Sequence, residues 1–105
     1  MGTWAESGVE NMKAALQHFG SLDKIFYIYF RNVIGSVPKF RECFIDEGDV
    51  DTLGILVALK NMNFSGFLID DHVPQVVNDT EWGHRSRAYA TGYISALIRA
   101  AKQLG

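Results

Sequence analysis

Six consecutive residues, Ile25-Phe26-Tyr27-Ile28-Tyr29-Phe30, are β-branched or aromatic at every position. A helix in a small domain keeps one polar face, and a half-buried strand alternates, so an unbroken run of this kind reads as a strand buried on both faces. That burial normally comes in a parallel sheet covered by helices. A second run, Phe67-Leu68-Ile69, is opened by Gly66 and closed by Pro74. Proline cannot donate to a ladder and restricts the residue before it, so this strand ends by about Val73. Between the two runs lies a helical stretch carrying Leu53, Leu56, Val57 and Leu59 and ending near Asn61 to Asn63. Strand, helix, strand makes a βαβ unit, whose right-handed crossover leaves the two strands parallel.

The rest of the chain supplies helices and connections. Ser7-Gly8-Val9-Glu10 has the form of a capping box, with Val9, Met12, Leu16 and Phe19 following at helical spacing and Gly20 closing the segment, which predicts a helix over 8–19. Residues 33–50 lack periodicity and read as a connection with turns at Gly35, Ser36 and Pro38, held down by Phe40, Phe44 and Ile45. Asp46, Glu47, Asp49 and Asp51 lack the spacing of a calcium loop; Asp49 or Asp51 reads as the N-cap of the next helix. Residues 75–85 form a polar loop containing Trp82, placed where an active-site cover belongs. The last helix is predicted from about Ser86 to Gln103, with Tyr89, Tyr93 or Ile94, Leu97, Ile98 and Ala101 as its buried stripe and Gly92 as a point of close packing.

This is the rhythm of a (β/α) barrel, but eight strands and about 250 residues close a typical one. A chain of 105 residues makes one domain, residues 1–105, with two strands and three main helices. The fold class is therefore α/β, a βαβ-containing fragment of a TIM barrel, and its greasy strands are expected to be covered by self-association into a homo-oligomer. The formal charge of −2 and the absence of a basic cluster argue against nucleic-acid binding. No apolar run reaches the roughly 18 residues of a membrane span. No leader with a basic start and an apolar stretch is visible, and the single cysteine, Cys43, fits a reducing compartment as a buried inert thiol, so a cytoplasmic location is expected.

In α/β folds ligands bind beyond the carboxyl ends of the strands. Two groups stand there. Arg31 and Asn32 follow the first strand; they read either as a cation and an amide gripping a substrate carboxylate or hydroxyls, or as an internal ion pair and a turn. Asp70, Asp71 and His72 follow the second, either as chemistry or as a solvated strand end. Strand alternation turns Asp71 away from Asp70 and His72.

Five segments then carry a resemblance: Gly2-Thr3-Trp4-Ala5-Glu6, Lys24 to Asn32, Glu47-Gly48-Asp49-Val50-Asp51, Asp70-Asp71-His72 and Arg87-Ala88-Tyr89-Ala90-Thr91-Gly92-Tyr93. In this order they resemble the carboxyl-terminal part of mannonate dehydratase, a metal-dependent lyase of the xylose-isomerase-like TIM-barrel type. The resemblance implies dehydration of D-mannonate to 2-keto-3-deoxy-D-gluconate in hexuronate catabolism. It implies Asp71 as a ligand of Mn²⁺ or Mg²⁺, His72 in proton transfer, and Arg31 and Asn32 facing the sugar acid. Tyr29 stands where the family has a histidine ligand and Trp82 nearest to where it has a catalytic tyrosine. The family's cysteine ligand falls just before Gly2, and a further histidine ligand lies upstream. The expectation is thus a mannonate dehydratase-like protein with little or no activity alone. The alternative is a non-catalytic sugar-acid-binding or oligomeric scaffold module.

Overall fold

The computed structural model describes residues 1–104. Its elements are α1 (Gly2–Glu6), α2 (Val9–Ser21), β1 (Tyr27–Phe30), β2 (Val33–Ser36), β3 (Lys39–Glu42), α3 (Thr52–Asn61), β4 (Phe67–Asp70) and α4 (His84–Gln103). The two apolar runs pair as expected. β1 and β4 are parallel neighbours, in register from Tyr27 opposite Phe67 to Phe30 opposite Asp70. Gly66 makes this approach possible, because a Cβ there would run into the carbonyl oxygen of Phe26.

Only one face of this sheet is covered. Ile28 and Phe30 are buried, in one core with Met12 and Leu16 of α2, Ile55, Leu56 and Leu59 of α3, and Ile94 and Leu97 of α4. On the other face Tyr27 is 56% exposed, Tyr29 48% and Phe67 76%. The expectation of burial on both faces is corrected to this extent: the chain's own helices shield one side of β1, and the alternation of strand side chains leaves every second residue of it bare. The sheet contains only β1 and β4, so each strand also keeps one unpaired edge.

Several local readings change. Ser7 does not cap α2; its hydroxyl donates to the Trp4 carbonyl at the end of the unforeseen α1, and Gly8 occupies the cap position without a side-chain bond. Gly20 lies inside α2, and the chain reverses at Asp23, which adopts φ 56°. The connection 33–50 contains an antiparallel hairpin, β2 on β3, with Val33 opposite Glu42 and Ser36 opposite Lys39. Its second strand is exposed at all four positions, so no buried face imposed a period on the sequence. Ile45 is a buried anchor, whereas Phe40 is 38% exposed.

The helix starts are held by carboxylates. Asp51 caps α3 by accepting from the Gly54 N–H at 3.0 Å. At α4, Asp79 accepts from the N–H groups of Arg85 and Ser86, and these bonds, Arg85's above all, pull its carboxyl below the usual aspartate range. The buried Ser86 hydroxyl donates to the Pro74 carbonyl at 2.7 Å, which ties α4 to the loop that follows β4. The buried stripe of α4 is Ser86, Ala90, Ile94, Leu97 and Ala101; Tyr89 is 48% exposed, edge-on to Phe44. Gly92 faces open space, so it serves no close packing.

Candidate functional site at the strand tips

The parallel register fixes which residues meet. Since Phe30 pairs with Asp70, the next residues, Arg31 and Asp71, leave the sheet side by side. The hairpin register does the same for Glu42, which pairs with Val33, two residues after Arg31. The short α1 ends on Glu6, whose carbonyl accepts from the Val37 N–H at 2.7 Å, anchoring it to the hairpin turn.

Arg31 is the centre of this arrangement, with a side chain only 5% exposed. Its Nη2 donates to Glu6 Oε1. Its Nη1 donates to Glu42 Oε1 at 2.6 Å and lies 2.7 Å from His72 Nδ1. Its Nε lies 3.4 Å from Asp71 Oδ2, without the alignment of a hydrogen bond, and is the one buried side-chain polar atom left without a partner among the described residues. One guanidinium thus faces three carboxylates and an imidazole from three parts of the fold: α1, the hairpin and the residues after β4. Arginine suits this role because its planar fork offers five donors and stays charged.

His72 is 65% exposed in its side chain. Its Nδ1 is 3.0 Å from Glu42 Oε1 as well as close to Arg31, and its Nε2 is 3.8 Å from Asp71 Oδ1. Arg31 is always a donor, so Nδ1 either accepts from it through its lone pair or donates its own proton to Glu42; the two bonds exclude each other. Asp71 and His72 therefore converge, contrary to the strict alternation expected of them. β4 ends at Asp70, and past the ladder nothing enforces a period of two. Asp70 does point elsewhere, to Arg87 Nη1 at 2.7 Å, and Arg87 also donates to the Asp71 and Trp82 carbonyls.

Asn32 is 2% exposed and spends its whole amide on backbone. Nδ2 donates to the carbonyls of Ile45 and Val50, and Oδ1 accepts from the N–H groups of Val33 and Val50, all at 2.9 to 3.1 Å. Gly48 packs against this amide so tightly that a Cβ would strike Oδ1. The arrangement makes Asn32 the clamp of the 43–50 loop. Cys43 is buried and free, and burial raises its thiol pKa, which favours the protonated form.

Arg31, Asp71 and His72 are brought together; Tyr29 and Trp82 are not, Tyr29 lying on the open sheet face and Trp82 standing 74% exposed on the loop. Glu6, Glu42 and Arg87 are partners that sequence reasoning did not single out for roles. Glu6 and Arg87 lie within resembling segments, whereas Glu42 gave no signal before the hairpin register was known. The space enclosed by Arg31, Asp71, His72 and Tyr89 is about 10 Å³, the room of one water and not of a sugar acid. A divalent metal does not fit the donors of this single chain either. Asp71 is engaged by Arg31, and no group of three His, Cys, Asp or Glu side chains among the described residues is placed to share an ion.

A parallel βαβ unit with its polar cluster gathered at the carboxyl ends of the strands defines an α/β chain of the barrel-segment class. The family model for D-mannonate dehydratase (UxuA) matches residues 1–104, and the chain belongs to that family, whose members are metal-dependent dehydratases. The fold is similar to the crystal structure of mannonate dehydratase from Streptococcus suis serotype 2, with a TM-score of 0.80 and 22% identity, a likeness of fold that covers 88% of this chain and 28% of that one. The chain thus spans little more than a quarter of that relative's length. No curated protein matches it. Among the described residues no helix is long and apolar enough to cross a membrane.

Proposed function

We propose that this chain is a mannonate dehydratase-like element that carries the Asp71–His72 strand tip of a sugar-acid site and has little or no turnover alone. The family match over residues 1–104 carries the proposal. Dehydration next to a carboxylate needs a base for the α-proton and an acid for the departing hydroxyl. His72 is the group for proton transfer, because it is the most exposed titratable side chain of the cluster and its Nε2 is free of hydrogen bonds. Arg31, whose charge Glu6, Glu42 and Asp71 already take up, holds Asp71 and His72 together at the strand tips, and Asn32 holds the loop beside them. Asp71 does not make a site for Mn²⁺ or Mg²⁺ by itself. With the purified chain, Mn²⁺ or Mg²⁺ and D-mannonate, formation of 2-keto-3-deoxygluconate is expected to stay at the level of the His72→Ala variant. Metal-dependent turnover that His72→Ala and Asp71→Ala abolish would overturn the expectation.

Of the non-catalytic roles, sugar-acid binding or an oligomeric scaffold, the scaffold is favoured by one observation, the neutralisation of Arg31 by three carboxylates. Sugar-acid binding that survives a chelator would support the binding role instead.

The bare aromatic face supports self-association. Tyr27, Tyr29 and Phe67 lie on it, next to two open strand edges, and a two-stranded parallel sheet is marginal unless covered. Light scattering at micromolar concentration is expected to give a mass above the 11.7 kDa of one chain, falling towards one chain in Tyr29→Glu. A well-folded monomer would remove the argument. The free thiol suits a cytoplasmic location.

A further inference from the structure

His72 has little packing to hold its ring. Its side chain is 65% exposed, and its hydrogen-bond contacts all involve Nδ1. One carboxylate oxygen, Glu42 Oε1, sits 3.0 Å from that nitrogen and 2.6 Å from Arg31 Nη1. We propose that Glu42, at the end of the β2–β3 hairpin, is the positioning residue of His72, locking the ring so that Nδ1 is engaged and Nε2 faces the space beside Asp71. The inference deepens the proposed function and rests on the reading of His72 as its proton-transfer group.

The lock works whichever nitrogen carries the ring proton. With the proton on Nδ1, the ring donates to Glu42 directly. With the proton on Nε2, the lone pair of Nδ1 accepts from Arg31 Nη1, and Glu42 fixes that same Nη1 by accepting its other proton. In both cases a flip of the ring would put carbon where nitrogen is needed, losing a charge-assisted bond. The neighbours are fixed in turn. Arg31 is also held by Glu6, and the hairpin pairs Glu42 with Val33, next to the buried clamp of Asn32. A carboxylate oriented in this way, behind an imidazole whose far nitrogen is free, is the arrangement that fixes ring orientation in many acid–base sites.

The test reads the ring itself and needs no turnover. The chain has three histidines, so His18 and His84 are internal controls in a spectrum of the imidazole nitrogens against their ring protons. In the unmodified protein His72 is expected to give one set of nitrogen shifts, with Nδ1 displaced by its bond. In Glu42→Ala the His72 shifts are expected to move to those of a freely rotating ring while His18 and His84 stay put, with Glu42→Gln, which keeps a carbonyl acceptor, in between. His72 shifts unchanged in Glu42→Ala would overturn the proposal. Loss of dispersion across the whole spectrum of Glu42→Ala would mark unfolding, in which case Glu42→Gln decides in the same way. The failure of the functional reading is separate: a locked ring with no sugar-acid binding leaves the positioning role standing and removes only its use.

Discussion

Replacing Arg31 with alanine is expected to cost about 3 to 5 kcal/mol of folding stability, the range for breaking a buried charge network by removing one partner. The reason is what stays behind. Glu6, Glu42 and Asp71 would face one another without a cation, and Glu6 and Asp71 are only 21% and 23% exposed. The loss would also cut links between α1, the hairpin and the end of β4, because each sends a carboxylate to the same guanidinium. Since a domain of this size has about 5 to 15 kcal/mol in all, the variant is expected to lose much of its denaturation midpoint. Arg31→Lys should recover part of the loss, as a point charge cannot span three acceptors. Urea denaturation of the three proteins checks the order. An Arg31→Ala protein within 1 kcal/mol of the parent, a margin typical of surface ion pairs, would mean the cluster is solvated after all.

Asn32→Leu is expected to be comparably severe, about 3 to 5 kcal/mol, by a different route. Leucine fills the space but leaves two carbonyls and two N–H groups without their partner. Each buried group so orphaned costs about 1 to 3 kcal/mol, less whatever water recovers as the loop opens. Hydrogen exchange gives a sharper reading than overall stability. The Val33 and Val50 amides should lose protection first, whereas those inside α4 should follow only the global change. If both amides stayed protected, the loop would be held by Ile45 and the other apolar anchors, and not by this side chain.

Arg31 and Asn32 are adjacent residues that the sequence offers as a pair. Read along the chain, Arg31-Asn32 after an apolar strand suggests a cation and an amide for a ligand. Their positions in the fold assign them different work. Arg31 gathers charges at the mouth of the strands, and Asn32 turns inward and stands in for a stretch of secondary structure. Residue type at a strand tip indicates what a side chain is able to bond, and the neighbours it meets depend on loops whose course carries little local signal. The hairpin is the clearest case. β3 has no buried face, so no apolar alternation announced it, and without it Glu42 had no reason to be placed beside Arg31. The same holds for Asp71 and His72, whose convergence follows from the strand ending at Asp70, before the alternation rule reaches either residue.

The amino-acid order alone determined the βαβ unit, the parallel direction of its strands, the helix that Asp51 caps and the family resemblance, because each rests on short-range chemistry: an apolar period, a proline stop, a carboxylate before a helix, motifs in sequence. It also announced that this much apolar strand exceeds what so short a chain covers. Only the tertiary structure decided which face is bare, that Arg31 answers to Glu6, Glu42 and Asp71 together, and that Asn32 is a clamp. Those facts depend on register and on where distant loops come to rest, and long-range packing of that kind leaves no period in the chain to be read.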